Sequence, residues 1–532
     1  MCKTKRICNS DELELLINST PNGQVCVLDA KEYYLTRQVV IKDKKDITID
    51  GSKAVIVSKY VNNADYKEST NAFLLKGCQR VTLSNITMET DVPCNITATV
   101  KSIDFDENTL ILQVDEEFTV NGDEVLMAFN TIDEDGSPDY HMNSYARHPD
   151  DDNITTLVFG EILLAHTYSS ARYDYLGDNT FKVYFKRLNE NLSVGERMCI
   201  RHTMYGPAAI ILSDSDDTVL KNITMHSAAG MGVVVLPRCK NLTIDSLKMV
   251  VKEGSKSLMA GNCDGIHITG LLGNLVMKNC VFDGMGDDAL NIHATAGTLT
   301  ELLDDSSIKC GYCKKSPDGT LPKRWCEAGD IIKIYDPVLL TNTGSLRVVS
   351  FADGILKFDQ LSGTYKKGDT LQNTTFTPSL EIDNCIVRNT RSRAFVIQTE
   401  NVEIKNCTFF GMSSDAIKAA PDLDVWYEVG PTCNLNIHNN VIEKCAFARE
   451  STSVIRVSTN HRNGDETISH LHKNIIIKDN VIKNSRAECI TIMATDGVTI
   501  TGNRFEERKQ KDVEPISLIN CNDIKIENNI DV

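Results

Sequence analysis

The sequence predicts an all-β protein, a right-handed parallel β-helix that carries two inserted small β-barrel domains. A short pattern of alternating apolar residues, a turn residue and a second apolar pair recurs along the 532 residues. Many copies follow each other at about 23 residues, which is one turn of a solenoid. Two intervals are far longer and mark insertions. The copies begin at Ile47, Val81, Thr218, Leu242, Leu275, Leu380, Val402, Leu435, Ile475, Val498 and Ile524.

Each copy predicts one strand, a tight turn and a second strand. Alternating apolar residues are typical of a strand with one buried face. The Asn or Gly that follows can adopt the left-handed backbone of a tight turn. Such coils stack and bury one continuous core, and we expect the turn asparagines to form hydrogen-bonded ladders from coil to coil.

The two long intervals predict the inserted domains. Val81 to Val219 spans 138 residues and Leu275 to Leu380 spans 105. Both intervals contain alternating apolar runs separated by Gly and Asp turns, a pattern typical of antiparallel sheets. We expect the β-helix over 1–93, 202–297 and 375–532, the first β-barrel over 94–201 and the second over 298–374.

Composition and charge exclude several classes of protein. The chain is 41% hydrophobic and 24% charged, as ordinary globular proteins are. Its 73 acidic and 56 basic residues give a net charge of −17, which argues against a nucleic-acid partner. No apolar run approaches the ~18 residues of a membrane span, and no signal peptide is visible. A cytoplasmic location is expected, or secretion if a leader was removed, and a homodimer is left open.

Cysteine is the unusual residue type, because 18 cysteines are many for such a chain but few for a disulfide scaffold. Several follow a turn Asn, as in Asn279-Cys280, where a small apolar side chain would point into the coil interior. These cysteines are expected to be reduced core residues. Cys310, Cys313 and Cys326 could bind a structural zinc, but no nearby histidine supplies a fourth ligand, so thiols are favoured.

Three aspartates form the strongest candidate for a functional site. Asp264 lies in NCDGIH, and Asp287 and Asp288 lie in GDDALNIH. Asp264 and Asp287 are 23 residues apart. Stacked coils should therefore place them on neighbouring strands about 4.8 Å apart. Carboxylates so close resist joint ionisation, and an acid beside a base is what glycosidic bond cleavage requires. Turn aspartates that cap coils, or a calcium site, are the alternatives.

Other residues of these and later coils suit the binding of a sugar. An aromatic ring together with carboxylate and guanidinium groups is a common set of side chains for binding a sugar ring. Each residue taken alone is more often a satisfied residue of the rim. The candidates for substrate binding are His267, Asn291, His293, Arg391, Arg393, Trp426 and Glu428.

These segments resemble glycoside hydrolase family 110, the inverting α-1,3-galactosidases. The resemblance rests on NCDGIH and GDDALNIH, on the pair Arg391 and Arg393, on the stretch from Thr408 that ends in WYEVG, and on HSAAGMGVVV from His226. It covers roughly 206–484, and two inserted barrels also fit that family. The aspartate segments are similar to those of the polygalacturonase family too, but that family's downstream His-Gly and Arg-Ile-Lys segments are not visible. Family 110 is therefore preferred.

The resemblance implies an exo-acting hydrolase that releases terminal α-linked galactose from a glycan with inversion. Asp287 would be the general acid that protonates the glycosidic oxygen, and Asp264 with Asp288 would activate the attacking water. No cofactor or metal is expected, because carboxylates supply both proton transfers. The residues implied to contact galactose are Arg393, Glu428 and Trp426.

Two other hypotheses stay open. A polygalacturonase-like hydrolase of acidic glycans would need a basic subsite for uronates. A non-catalytic carbohydrate-binding β-solenoid would bind sugar and release no product.

Overall fold

The structure is a computed structural model of the chain. Almost all of the secondary structure in its described residues is β, which confirms the predicted all-β class. The described residues are 8–29, 32–60, 69–118, 131–132, 138–139, 144–147, 172–184, 188, 193–201, 206–312, 321–322, 324–423, 426–446, 453–459, 469–485, 488–509 and 511–532.

One 32-stranded sheet forms the main body. Nearly all of its strands pair in parallel with a strand about one coil later, so the sheet winds into three ladders, as a parallel β-helix requires. Ladder A consists of Val25–Val27, Thr48–Ser58, Thr82–Thr90, Asp216–Met225, Lys240–Asp245, Leu272–Lys278, Ser379–Asp383, Glu400–Lys405, Cys433–His438, His472–Lys478, Ile490–Thr501 and Ile516–Glu527.

The other two ladders complete each coil. Ladder B begins with Cys8–Asn9 and Glu32–Leu35 and runs through the second halves of the three longest early strands of ladder A. It continues with Lys248–Met249, Val281–Asp283, Ile386–Arg388, Thr408–Phe410, Val441–Glu443, Val481–Lys483, Arg504–Glu506 and Ile530–Asp531. Ladder C consists of Val39–Lys42, Phe73–Lys76, Ile210–Ser213, Val233–Val235, Ile266–Thr269, Leu290–Thr295, Phe395–Ile397, Ile417–Ala419 and Ile455–Val457, and ends in the first halves of Ile490–Thr501 and Ile516–Glu527.

Ladder A contains the repeat seen in the sequence. Thr218 pairs with Leu242, Leu242 with Leu275, and the series continues copy by copy to Ile524. The first residues of these copies therefore occupy one position on successive coils. The predicted repeat is confirmed, because the first residues of the copies from Leu242 to Val498 lie in one shared core although the spacing of the copies varies.

The turns between ladders A and B behave as the repeat predicts. Asn279 and Asn384 have φ of 57° and 54°, and the Nδ2 of Asn384 donates to the Oδ1 of Asn279 at 2.8 Å. The cysteines that follow the turns are free thiols in the core, as expected, at Cys280, Cys385 and Cys407. Cys310 and Cys326 of the second insertion are free thiols too, but Cys313 lies outside the described residues, so the preference for thiols over zinc among the three stays a prediction.

The interior column of cysteines continues as asparagines in later coils. The backbone N–H of Cys407 donates to the Oδ1 of Asn440 at 2.8 Å. The Nδ2 of Asn440 donates to the Oδ1 of Asn480 at 2.9 Å, and that of Asn480 donates to the Oδ1 of Asn503 at 3.0 Å. These side chains are buried, so each amide depends on its neighbours for hydrogen bonds.

Replacing Asn480 by Ala is expected to lower the free energy of unfolding by about 2–4 kcal/mol, because buried amides on both sides lose partners and a small cavity forms. Denaturant unfolding measures the loss. The matched control is Asn474→Ala on the exposed asparagine ladder, where the left-handed backbone position should cost about 1 kcal/mol. Equal losses in the two variants would contradict a special role of the buried column.

A helix at Ser10–Ser19, which the repeat does not predict, packs on the start of the β-helix. Asn9 accepts a hydrogen bond from the N–H of Glu12, and the Glu12 carboxylate accepts one from the N–H of Asn9. This capping box fixes the first turn, and Leu13 and Ile17 on the inner face join the main core. Among the described residues no helix has the length and apolar character needed to cross a membrane.

The two long intervals form separate antiparallel sheets. The described strands of the first make an open six-stranded sheet and a small two-stranded one, whereas the second makes a closed six-stranded barrel. The predicted barrel is thus seen in the second interval. The strands of the first are Asn95–Asp104, Thr109–Val114, Ser144–Arg147, Arg172–Gly177, Thr180–Tyr184 and Arg197–Arg201, with Thr131–Ile132 and Pro138–Asp139; those of the second are Gly297–Asp304, Ser307–Gly311, Ile331–Tyr335, Asn342–Ala352, Ile355–Gly363 and Thr370–Asn373.

Candidate active site

The three aspartates meet just before two neighbouring strands of ladder C. The register pairs Ile266 with Leu290, a step of 24 residues rather than 23. Asp264 is therefore level with Asp288, and the N–H of Asp288 donates to the Oδ1 of Asp264 at 3.1 Å. The expectation that Asp264 stacks on Asp287 is corrected by one residue, because the step between these two strands is 24 residues and not 23.

A glycine and an arginine bring Asp287 into the same cluster. A Cβ on Gly286 would lie 2.3 Å from the carbonyl oxygen of Asn262, so only glycine permits this close approach. The guanidinium of Arg201 donates to the carbonyl oxygens of both Asn262 and Gly286, the second at 3.1 Å. Arg201 is buried and ends the strand that returns from the first insertion. No sequence motif pointed to it.

Two arginines of the next coil bind the carboxylates. The Nε and Nη2 of Arg393 donate to the two oxygens of Asp288 at 2.8 and 2.7 Å, which is a bidentate pair. The Nη2 of Arg391 lies 3.1 Å from the Oδ1 of Asp287. Both arginines lie beside the aspartates and pair with them, and their predicted role in substrate binding stays a prediction.

Burial and the arginines act on the pKa values in opposite directions. Burial raises the pKa of Asp288 to about 7 and also raises that of Asp264, against the effects of Arg393 and His267. Burial opposes ionisation of Asp287 as well, but Arg391, Arg393 and Arg201 outweigh it and lower its pKa. Two carboxyl groups with raised pKa values therefore lie beside one whose pKa is lowered, so groups suited to hold and to accept a proton are side by side.

Two histidines and a glutamate form the other half of the site. The Nδ1 of His267 lies 2.7 Å from the Oδ2 of Asp264, and the Nδ1 of His293 lies 3.0 Å from the carbonyl oxygen of Ala294. Their Nε2 atoms are 3.2 Å apart, and the Oε1 of Glu428 is 3.5 Å from the Nε2 of His293. Burial opposes charge on His267, but Asp264 raises its pKa, whereas burial lowers that of His293.

Glu428 reaches this place through a returning segment. The short strand Glu428–Val429 pairs antiparallel with the end of the strand Leu290–Thr295. Gly430 permits the approach, because a Cβ there would lie 2.1 Å from the carbonyl oxygen of Gln398. Trp426, two residues before Glu428, is 53% exposed and can present its ring to a ligand.

The structure adds two polar residues that the motifs did not indicate, Gln398 and Lys418. The amides of Asn291 and Gln398 each donate to Glu428 at 3.1 Å, and their buried carbonyl oxygens have no hydrogen-bond partner among the described residues. Lys418 lies on the row of ladder C that contains Asn291, and burial lowers its pKa. Unpartnered amide oxygens at the site could accept hydrogen bonds from a ligand.

Two groups of three side chains could hold a metal ion. His267, His293 and Glu428 form one, and Cys263, Asp264 and Asp287 form the other, with the ligand atoms of each group within 4.8 Å of one another. Calcium prefers six to eight oxygen ligands, which neither group provides. The calcium alternative of the sequence analysis therefore has little support from these residues.

The chain is similar in sequence to several known proteins. No family model matches the chain. Alpha-1,3-galactosidase B of Akkermansia muciniphila is 25% identical over 374 residues, which are 66% of this chain and 46% of that protein. The chain is a homologue of proteins named alpha-1,3-galactosidase. The resemblance to family 110 is thereby confirmed.

A second relative matches a larger share of this chain. Alpha-1,3-galactosidase A of Bacteroides fragilis is 23% identical over 500 residues, or 92% of this chain and 78% of that protein. The chain spans about half the length of the first galactosidase relatives it matches, 46% and 56%. Among solved structures, the family 28 exopolygalacturonase of Yersinia enterocolitica aligns with 99% of this chain and 79% of its own at 12% identity, with a TM-score of 0.42.

Proposed function

We propose that the protein is an exo-acting glycoside hydrolase that releases terminal α-1,3-linked galactose with inversion. The observation that carries the proposal is the cluster of Asp264, Asp287 and Asp288, in which burial and arginines drive the pKa values apart. Pairs of carboxyl groups with separated pKa values are the acid and base of glycosidases. The galactosidase names of the homologues support galactose as the sugar.

Asp287 is the proposed general acid. Its side chain is 20% exposed, against 6% for Asp264 and 2% for Asp288, so it is the carboxyl group that a glycosidic oxygen can best reach. Arginines lower its pKa in the free protein, so the proposal requires that sugar binding strips water from Asp287, raises its pKa and moves onto it a proton from the pair Asp264 and Asp288, which leaves that pair ionised. Asp264 and Asp288 then activate the water.

The residues around the cluster are proposed to bind the sugar. Imidazole, amide and carboxylate groups face one small surface, and Trp426 offers an exposed ring for stacking. The unpartnered oxygen of Gln398 and the amine of Lys418 extend the predicted set. That predicted set consists of His267, Asn291, His293, Arg391, Arg393, Trp426 and Glu428.

Two features of the fold, the handedness of the coils and the closure of the first insertion, are also proposals. We propose that the coils wind in the right-handed sense and that the segment 94–201 closes into a barrel as the strands of 298–374 do. The domain limits, the cytoplasmic location and the homodimer stay predictions.

The proposal is tested by incubating the full chain with α-1,3-, α-1,4- and α-1,6-linked galactosides and with oligogalacturonates. We expect galactose from the α-1,3 substrate, with β-galactose as the first anomer in proton NMR spectra. Release from oligogalacturonates alone would support the polygalacturonase alternative, and binding without product would support a carbohydrate-binding solenoid.

The same spectra test inversion. Oxygens of Asp264 and Asp287 lie within 4.8 Å of each other. Inverting enzymes typically separate their carboxyl groups by about 6.5–9.5 Å, and retaining ones by about 5–5.5 Å. If α-galactose appears first, the short separation reflects a retaining mechanism and the inverting part of the proposal is wrong.

A further inference from the structure

His267 and His293 face each other closely enough to share a cation. A carbonyl oxygen only accepts hydrogen bonds, so the Nδ1 of His293, 3.0 Å from the oxygen of Ala294, bears the hydrogen. The Nδ1 of His267 likewise lies 2.7 Å from the Oδ2 of Asp264, which leaves its Nε2 to face that of His293. The two Nε2 atoms are 3.2 Å apart, close enough for one cation, a proton or a metal ion, to lie between them.

Glu428 adds a carboxylate to the two histidines. Its Oε1 lies 3.5 Å from the Nε2 of His293, and one of its carboxylate oxygens lies within 4.8 Å of a ring nitrogen of His267. A shared proton would also satisfy the two nitrogens, whereas a metal ion would in addition take the carboxylate of Glu428 as a third ligand. Ligands about 2.0–2.1 Å from a tetrahedral zinc are about 3.3–3.5 Å from one another, close to the 3.2 Å between the imidazoles and the 3.5 Å between His293 and Glu428.

The surroundings of the three groups are those of a metal site. Histidine ligands of zinc usually donate their second ring N–H to a carboxylate or a backbone carbonyl, as His267 does to Asp264 and His293 to Ala294. Ligating carboxylates are in turn hydrogen-bonded, as Glu428 is by the amides of Asn291 and Gln398. The orientation of all three side chains is thus fixed.

We infer that His267, His293 and Glu428 form a binding site for a zinc-like divalent cation with one open coordination position. Two histidines and a glutamate with a fourth position for water or substrate are a known zinc ligand set. The side chain of His267 is 16% exposed, so the site can be reached from solvent. The motifs indicated that these residues bind the sugar directly; with the ion present, a sugar hydroxyl would occupy the open position.

The contact between ion and sugar rests on the proposed function, but the binding of the ion does not. The test therefore uses zinc alone. The full chain is stripped with a chelator and titrated with Zn²⁺ in a calorimeter without any galactoside. We expect one strong equivalent per chain, weakened at least about tenfold in His293→Gln and in Glu428→Gln.

A matched control is available in a second His–Glu pair. The Nε2 of His438 lies 3.2 Å from Glu403 on ladder A, outside the site, so His438→Gln should leave zinc binding unchanged. Co²⁺ in place of Zn²⁺ should give visible bands without the thiolate charge-transfer absorption that cysteine ligands produce. Because two ligand variants are measured, one that fails to fold leaves the other to decide.

Three outcomes would overturn the inference. They are the absence of a stoichiometric equivalent, an affinity that neither ligand variant changes, and a thiolate signature in the cobalt spectrum. The first would mean that the two imidazoles share a proton instead. None of these outcomes bears on whether the protein releases galactose, which the anomer experiment decides separately.

Discussion

Asp287→Asn is expected to reduce kcat for galactose release by about 10³–10⁴-fold, because loss of a positioned general acid commonly costs about 10²–10⁴. The amide cannot supply a proton to the glycosidic oxygen. It keeps the shape of the carboxylate, and Arg391 is left with a weaker partner at 3.1 Å. Steady-state kinetics on an α-1,3-galactoside measure the loss, and the thermal unfolding midpoint checks the fold.

The matched control for this variant is Asp283→Asn. Asp283 lies four residues earlier in the same coil and pairs with Arg388 and Asn389. It is a similar acid-to-amide change outside the aspartate cluster, so we expect full activity. Activity of Asp287→Asn within tenfold of the parent would show that another group is the acid, and the raised pKa values of Asp264 and Asp288 would make them the next candidates.

Arg201→Met is expected to lower kcat by about 10²-fold, the cost of a displacement of about 1 Å in a catalytic group. The side chain is buried and donates to the carbonyl oxygens of Asn262 and Gly286, beside Asp264 and Asp287. Methionine fills similar space but donates nothing, so the two loops lose their common anchor. Arg201 is a positioning residue in this proposal, and kinetics with a pH profile measure its effect.

Loss of the charge of Arg201 should change the pH profile, which a loss of packing alone would not change. Arg201 helps to lower the pKa of Asp287, so its removal should move the pKa assigned to that group upward in the pH profile. Arg201→Lys keeps the charge and should keep the profile while losing rate. Arg197→Met, on the same strand and paired with Asp115, is the control for both. An unchanged rate in Arg201→Met would rule out the positioning role.

Much of the site could be predicted because the repeat decides which residues stack. NCDGIH and GDDALNIH lie about one coil apart, so Asp264, His267, Asn291 and His293 had to meet on ladder C once the period was known. The one-residue difference in register shows the limit of this reasoning. A period gives the average coil, whereas the actual register depends on the length of each turn.

Residues that approach the site from outside the period could not be predicted in this way. Arg201 arrives at the end of the first insertion, and Glu428 arrives on a returning segment. The positions of both depend on contacts between segments far apart in the chain, which a local pattern does not contain. Gln398 differs, because it follows the next strand of ladder C within the repeat, but it carries no motif that marks it as functional.

The sequence by itself determined the all-β class, the coil repeat, the buried cysteines and the resemblance to galactosidases, because each follows from residue type and spacing. The tertiary structure alone decided which aspartate pKa values are raised and which is lowered. Asp264, Asp287 and Asp288 are the same residue type, and only their burial and their distances from Arg201, Arg391 and Arg393 separate their pKa values.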